Sequence, residues 1–458
     1  MNQHPSLLKF SESGVRGVVG SGLTPHLVTE LVAAFGLYQG GGRILIGRDT
    51  RPTGEMLEHA VTAGLLAVGC QVIKLGIVPT PTLQLLVREL NAAGGIAITA
   101  SHNPAQWNAL KFVSSGGVFL DQTEAAELFD IYSQGNFAFA RESELREVSE
   151  FANPFALHAK RIFQAVDTKA IRERRLKVAV DCCNGVGAVH SRGFLEKLGC
   201  EVVTVNSEPD GRFRRVPEPL PEHLGALAGL VKREKCDIGF AQDPDGDRLT
   251  LVDDTARVLS PQWTVALAFE HILEAYPGPV AVNLQTTHLV EKIAGDCGCE
   301  VFYSKVGEIN VVQKMRECNA AIGGEGNCGG VIWRRIHPCR DSFSGMAILL
   351  EMLALSGSRL SDIVDSLPNC CNRSMRFELA PKVARHVVET LCRRYADQGP
   401  LTFDGFRLNL PDGWVLVRSS NTEPILRLNV ERESEAATES LLKKFAAEIE
   451  EIIKEAIE

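Results

Sequence analysis

Three aspartates stand at alternate positions in the run Asp243-Pro244-Asp245-Gly246-Asp247-Arg248. Closed into one site, their carboxylates repel one another, and a hard cation with oxygen ligands relieves that repulsion. Mg²⁺ is the natural occupant, and Arg248 suits a phosphate held on the same ion. An EF-hand also opens with alternating aspartates, but it requires glycine at loop position six and a carboxylate at twelve. Here position six is Arg248 and the flanks read as strands, so the EF-hand reading fails. The plain alternative is a solvated acidic turn.

The run Thr99-Ala100-Ser101-His102-Asn103-Pro104 sets a serine where a strand ends, and Asn-Pro prevents a helix from following directly. A hydroxyl presented at a sheet's mouth suits a nucleophile, with a Ser/Asn turn as the alternative. His102, beside it, joins the catalytic candidates. Lys111 begins the strand beyond this loop and is expected to point its ammonium at Ser101. Downstream, Arg418-Ser419-Ser420-Asn421-Thr422-Glu423-Pro424 precedes Arg427. Hydroxyls, an amide, loop N–H groups and two guanidinium forks make either a nest for a phosphate dianion or a polar hairpin turn. Ser13-Gly14-Val15-Arg16-Gly17 and Gly47-Arg48-Asp49-Thr50-Arg51-Pro52 set arginine beside glycine. Those runs allow close backbone approach to an anion, or form surface turns with salt bridges. Lys305, Glu325 and Asn327 suit a polyhydroxylated ligand, the carboxylate accepting from two hydroxyls.

These loops need a scaffold, and apolar strand-like runs alternating with helical patterns supply one: parallel sheets built from βαβ units. Three blocks follow this plan, with first strands at 43–46, 178–180 and 280–282. Their last strands, at 96–99, 237–240 and 320–322, run into the Ser101, Asp243 and Glu325 loops respectively. Carboxyl ends of parallel strands are where open α/β sheets bind ligands, so three such mouths suggest one shared cleft. From about Asn372 the pattern becomes a small α+β domain: a strand, a helix over 383–396, strands over 406–410, 414–417 and 425–430, and a terminal helix. The expected domains are 1–154, 155–256, 257–371 and 372–458, in keeping with roughly 100–200 residues per domain for 458 residues.

Composition excludes several classes. Hydrophobic residues are 45% and charged residues 23%, ordinary for a globular chain and against disorder. Lys and Arg number 48 against 57 Asp and Glu, a net charge of -9 that offers no basic footprint for nucleic acid. No apolar run reaches the ~20 residues of a membrane span, and Met1 to Phe10 lacks a secretory apolar stretch, so a cytoplasmic protein is expected. The thirteen cysteines show no C-x-x-C spacing and read as buried small hydrophobes.

Taken together, TASHNP with Asn108 and Lys111, DPDGDR, GGEGN and RSSNTEP, with GRDTRP, VPTPT and PEPLPE, resemble the α-D-phosphohexomutase superfamily along nearly the whole chain. That superfamily covers phosphomannomutase/phosphoglucomutase and phosphoglucosamine mutase. The resemblance implies three related α/β domains and a C-terminal domain like the TATA-binding-protein fold, around a central cleft. It implies phosphoserine at Ser101, one Mg²⁺ on Ser101, Asp243, Asp245 and Asp247, and charge neutralisation or acid/base help from Arg16, Lys111 and Arg248. A sugar 1-phosphate would rest its phosphate on Arg418, Ser420, Asn421, Thr422 and Arg427, with Lys305, Glu325 and Asn327 on the sugar. Transfer from Ser101 would give a hexose 1,6-bisphosphate, also the activator, which turns over and returns its other phosphoryl group. The reading is a phosphomannomutase/phosphoglucomutase-type hexose mutase, monomeric or homodimeric, with phosphoglucosamine mutase as the near alternative. A Mg²⁺-dependent sugar phosphatase and a silent sugar-phosphate binder are the rivals. Two departures stand out: Phe10-Ser11-Glu12-Ser13 lacks the family's Gly-Thr pair, and the sugar loop lacks the Ser-Gly-His ending of many members and carries an extra Cys328. His337 is a candidate to replace that histidine.

Overall fold

The computed structural model describes residues 8–11, 14–419 and 424–457. It divides into two compact units, Met1–Thr264 with Cys328–Ser361, and Val265–Asn327 with Asp362–Glu458.

The first unit holds two sheets. The larger has seven strands in the order Leu8–Ser11, Gly14–Val18, Trp107–Ser114, Gly94–Ile98, Gly42–Arg48, Cys70–Ile77 and Val148–Glu150. The smaller runs Leu249–Asp253, Ile238–Gln242, Lys177–Asp181 and Glu201–Val205. The expectation of parallel sheets needs correcting at the two strands that leave the chemical loops. Trp107–Ser114 is antiparallel to Gly94–Ile98, and Leu249–Asp253 is antiparallel to Ile238–Gln242. The cause is loop length: a parallel return needs a crossover of about a dozen residues or more. Only residues 99–106 and 243–248 are available, so each loop is a hairpin connection whose tip is held on both sides.

A helix unforeseen in the sequence, Pro25–Tyr38, covers the first sheet; Thr24 caps it by accepting from the Leu27 N–H, and Pro25 stands at its first position. Val28, Leu31, Val32 and Phe35 on it are fully buried beside Ile44, Ile46 and Ile96 of the sheet. The strands carrying Ser101 and Asp243 are buried along their whole length, so the loops at their ends are mounted on rigid supports.

In the second unit Val280–Asn283 pairs in parallel with Val301–Ser304 and with Ile322–Glu325. The C-terminal sheet is antiparallel, ordered Cys371–Glu378, Ile425–Arg432, Gly413–Ser419, Phe406–Leu410. Its apolar face (Leu426, Leu428, Val415, Val417) packs on helices Pro381–Arg394 and Glu435–Ile457. The α+β pattern expected from Asn372 is therefore present, the first helix starting two residues early because Pro381 suits its first turn. None of the thirteen cysteines is in a disulfide, and all are buried or half-buried. Among the described residues no helix is long and apolar enough to cross a membrane.

Candidate active site

Asp243, Asp245 and Asp247 leave the end of strand Ile238–Gln242 in a turn made possible by Gly246, whose φ is +72°. All three are buried, and one carboxylate oxygen from each lies within 4.8 Å of the others. Burial, then the neighbouring Asp245 and Asp247, push the Asp243 carboxyl well above its ordinary range. Burial also acts to raise Asp245, but Lys111, Asp243 and Thr80 outweigh it and hold that carboxyl below the ordinary range. Asp245 Oδ1 and Asp247 Oδ1 are buried without a hydrogen-bond partner. Two orphaned oxygens beside a third carboxylate, all three groups buried, form a donor set that a hard divalent cation satisfies.

Ser101 reaches this triad. Its backbone sits in the left-handed region at φ +47°, and its Oγ donates to Asp243 Oδ2 at 2.7 Å. The strained turn is held by Arg51, which is 1% exposed. Arg51 donates to the carbonyls of Ser101 (2.7 Å), Asn103 (2.7 Å), Pro104 (2.8 Å) and Trp107 (3.0 Å). Asp49 orients that guanidinium at 3.0 Å and accepts from Thr99 Oγ1 at 2.7 Å, while Thr99 Oγ1 accepts from the Ser101 N–H. Of the two readings of Gly47–Pro52 the salt-bridged one holds in part: Arg48 pairs with Glu58 and Arg51 with Asp49, but Arg51 is buried and clamps a loop, so neither arginine waits for an anion. Arg51→Lys cannot supply the planar fork. A loop displaced by about 1 Å costs about 100-fold in turnover, and a drop of that order in kcat with the fold retained by circular dichroism is the expected result.

Cations surround the acids. Lys111 Nζ donates to Asp245 Oδ2 at 2.7 Å and lies 3.9 Å from Asp247, so it serves the acidic loop where Ser101 had been expected as its target. Burial opposes its charge, yet Asp245 and Asp247 raise its pKa. Arg248 donates to Glu218 of the PEPLPE run at 2.8 Å and sits 3.8 Å from Asp247 and 4.0 Å from Asp243. Arg340, which the sequence did not single out, donates to Asp247 Oδ2 at 2.5 Å. Arg16 lies on strand Gly14–Val18, where a Cβ at Gly14 would fall 1.9 Å from the Leu110 carbonyl oxygen. This close approach explains the first glycine of the Gly-x-Arg-Gly run. Burial, then Arg248, lower the Arg16 pKa. His102 lies within electrostatic reach of Arg248, Arg16, Asp245 and Lys111; burial first, then Arg248, keep it well below its ordinary value and hence neutral. Its Nδ1 has no hydrogen-bond partner.

The extra Cys328 is buried, and its Sγ accepts from Arg340 Nη1 at 3.5 Å. The next residue, Gly329, has φ +67°, and a Cβ there would lie 1.9 Å from the Leu249 carbonyl oxygen. Gly329→Ala is expected to cost on the order of 2–4 kcal/mol through strain and overlap, read as a lower melting temperature. His337 does not replace the missing histidine: its Nε2 bonds the Gly117 carbonyl at 2.6 Å, and burial lowers its pKa to about 3.

In the second unit Glu325 ends strand Ile322–Glu325 with 2% exposure. Its Oε1 accepts from Asn283 Nδ2 (2.8 Å) and from the Gly307 N–H (2.7 Å), and Asn327 Oδ1 accepts from the same Asn283 amide at 2.8 Å. Asn283, absent from the sequence reading, thus joins the two expected sugar-loop residues. Lys305 is exposed just after strand Val301–Ser304. Arg418 Nε donates to Asp404 Oδ1 at 2.9 Å, and Asp404 Oδ2 accepts from the Val306 N–H, so Arg418 and the Lys305 segment share one carboxylate. Arg418 is opposite Arg427 and Arg427 opposite Arg376, a row of three arginines across adjacent strands. Ser420, Asn421 and Thr422 lie outside the described residues.

Comparison with known proteins places this architecture. Family models of phosphoglucomutase/phosphomannomutase match in order: alpha/beta/alpha domain I over 7–139, domain II over 156–256, domain III over 260–370, and the C-terminal domain over 381–448. A probable phosphoglucosamine mutase of Methanopyrus kandleri is 36% identical, with 97% of this chain and 98% of that protein covered. A phosphoglucomutase/phosphomannomutase of Thermococcus kodakarensis is also 36% identical, covering 97% and 99%. Among solved structures, a phosphoglucomutase/phosphomannomutase family protein of Burkholderia thailandensis superposes with TM-score 0.84 at 28% identity, covering 97% and 98%.

Proposed function

The chain belongs to the phosphoglucomutase/phosphomannomutase family and is a hexose-phosphate mutase, an isomerase, and we propose that Ser101 carries the phosphoryl group between the 1- and 6-positions of the sugar. The observation that carries this reading is the contact of Ser101 Oγ with Asp243 at 2.7 Å inside a buried acidic triad with two orphaned oxygens. One Mg²⁺ fits Asp243, Asp245, Asp247 and a phosphorylated Ser101. Bound there it would neutralise charge on the phosphoryl oxygens.

Phosphoryl transfer leaves a protein little to do beyond positioning and charge stabilisation. Arg51 fixes the attacking geometry, and Lys111, Arg248 and Arg16 supply positive charge. The P–O bond to Ser101 breaks as one to the sugar 6-hydroxyl forms; the hydroxyl's proton leaves and Ser101 Oγ regains one. Neutral His102 offers its Nδ1 to that proton. In the second unit Glu325, Asn327 and Lys305 are assigned to the sugar, and Arg418 and Arg427, with Ser420, Asn421 and Thr422, to its phosphate. Like charges facing each other across strands are unfavourable, and a bound dianion would turn the arginine row into an attraction. A hexose 1,6-bisphosphate would load Ser101 at the start and arise as the intermediate in each turnover.

For the sugar, the reading is a glucose or mannose phosphate. Phosphoglucosamine is the second reading, favoured by the name of the Methanopyrus relative. Phosphorus NMR with Mg²⁺, a trace of glucose 1,6-bisphosphate and each α-1-phosphate in turn decides. Faster conversion of glucose or mannose 1-phosphate upholds the first reading, faster conversion of glucosamine 1-phosphate the second. Inorganic phosphate without isomerised sugar would contradict both.

A further inference from the structure

Beneath the acidic loop lies a buried polar chain with no part in the transfer described above. Thr82 Oγ1 and His158 Nδ1 are 2.9 Å apart, and His158 Nε2 lies 3.0 Å from Asp341 Oδ2. Thr82, His158 and Asp341 are 0%, 1% and 3% exposed. Phe155 and Phe343 pack against the imidazole. Facing a carboxylate, Nε2 donates to Asp341, and Nδ1 shares a hydrogen bond with the Thr82 hydroxyl.

The ends of this chain are what matter. Thr82 lies in helix Thr80–Glu89, whose first residue holds Asp245 twice: the Thr80 N–H donates to its carbonyl and the hydroxyl to its Oδ2, both at 2.9 Å. Asp341 caps helix Ser342–Ser356, accepting from the N–H groups of Phe343 (3.0 Å) and Ser344 (3.1 Å). The residues on either side of that cap hold the rest of the acidic loop. Ser342 donates to the Gly246 carbonyl from its hydroxyl at 2.7 Å and from its N–H at 3.2 Å, and Arg340 donates to Asp247 at 2.5 Å. One helix start thus grips Asp245, another grips Gly246 and Asp247, and His158, on the third helix Pro154–Phe163, spans the two.

We infer that His158 is a positioning residue for the metal site, setting the spacing of Asp245 and Asp247 through Thr82 and Asp341. The inference rests on reading the triad as the metal site. A buried His–Asp pair is a costly way to glue three helices together, since apolar side chains of similar volume do so at least as well. It does fix relative position and orientation, which a carboxylate pair sharing one ion requires.

The test is Mn²⁺ binding, followed by electron paramagnetic resonance of the free ion, in the full-length protein and its His158→Leu, His158→Gln and Thr82→Val variants. Thermal melts and circular dichroism serve as folding controls. Loss of an outer partner of a metal ligand typically costs about 10- to 100-fold in metal affinity. His158 lies one contact further out, so a loss of about tenfold, the lower end of that range, is expected in folded His158→Leu, with recovery in His158→Gln, whose amide still donates to Asp341. A smaller, severalfold loss is expected in Thr82→Val, which decides the matter if His158→Leu does not fold. In turnover, kcat should fall at limiting metal and recover at saturating metal, with KM for the sugar phosphate unchanged. Unchanged Mn²⁺ affinity in a folded His158→Leu or in Thr82→Val overturns the inference while leaving the metal site standing. No Mn²⁺ binding by the unmodified protein overturns the metal reading and this inference with it.

Discussion

Ser101→Ala is expected to remove hexose-phosphate isomerisation while leaving the protein folded, with a loss on the order of 10⁴-fold or more, as for deletion of an essential nucleophile. The substitution deletes one donor to Asp243 Oδ2. A single hydrogen bond of this kind contributes about 1 kcal/mol, so the melting temperature should fall by a few degrees at most. The Arg51 contact to the carbonyl of residue 101 and the Thr99 contact to its N–H both engage the backbone and survive the change. The check is a coupled assay for hexose 6-phosphate on protein of native circular dichroism. Activity within tenfold of the unmodified protein would sink the assignment of Ser101.

The second large effect is expected on removing the divalent ion. Without it, three buried carboxylates face one another, two with an orphaned oxygen, and Lys111, Arg248 and Arg340 oppose their repulsion. Treatment with EDTA should stop turnover, and Mg²⁺ should restore it. A ligand at 100 times its dissociation constant adds about 2.7 kcal/mol to the stability of the state that binds it. Mg²⁺ should therefore raise the melting temperature of the protein, and the rise should vanish in Asp245→Asn, which also removes the carboxylate charge beside Lys111. Turnover unaffected by EDTA, or a Mg²⁺ shift undiminished in Asp245→Asn, would contradict the placement of the ion.

Much of this was legible in the chain because the loops proposed to do the chemistry are short and their residue types scarce. Asp243, Asp245 and Asp247 at alternate positions, and Ser101 before Asn-Pro, declare themselves by spacing. Strand periodicity located their mounts, since strands buried on both faces read as continuous apolar runs, as in Ile238–Gln242. The antiparallel return of Trp107–Ser114 was legible too, had loop length been weighed: the residues between Ile98 and Trp107 are too few for a crossover. Arg51, Arg340, Asn283 and His158 were not legible in the same way. Each acts on groups far along the chain, His158 on Asp341 for instance, and nothing local marks an arginine that will bind four carbonyls rather than a phosphate. The Thr24-Pro25 start signal was there to be read, but the helix that follows is apolar on most of its surface, which blurs the helical period.

The most direct test of the phosphoryl-carrier role is to load the protein with glucose 1,6-bisphosphate and Mg²⁺, remove the free sugar, and map phosphorylation by peptide mass spectrometry before and after one turnover with a hexose 1-phosphate. With the phosphoryl groups of the loading bisphosphate labelled with ¹⁸O, the account requires one labelled phosphoryl group on the peptide holding Ser101 that passes to the sugar and is replaced by the substrate's own unlabelled phosphoryl group as the 6-phosphate appears. Isomerisation proceeding with that peptide unmodified, or a label on Ser101 that turnover leaves in place, would contradict it.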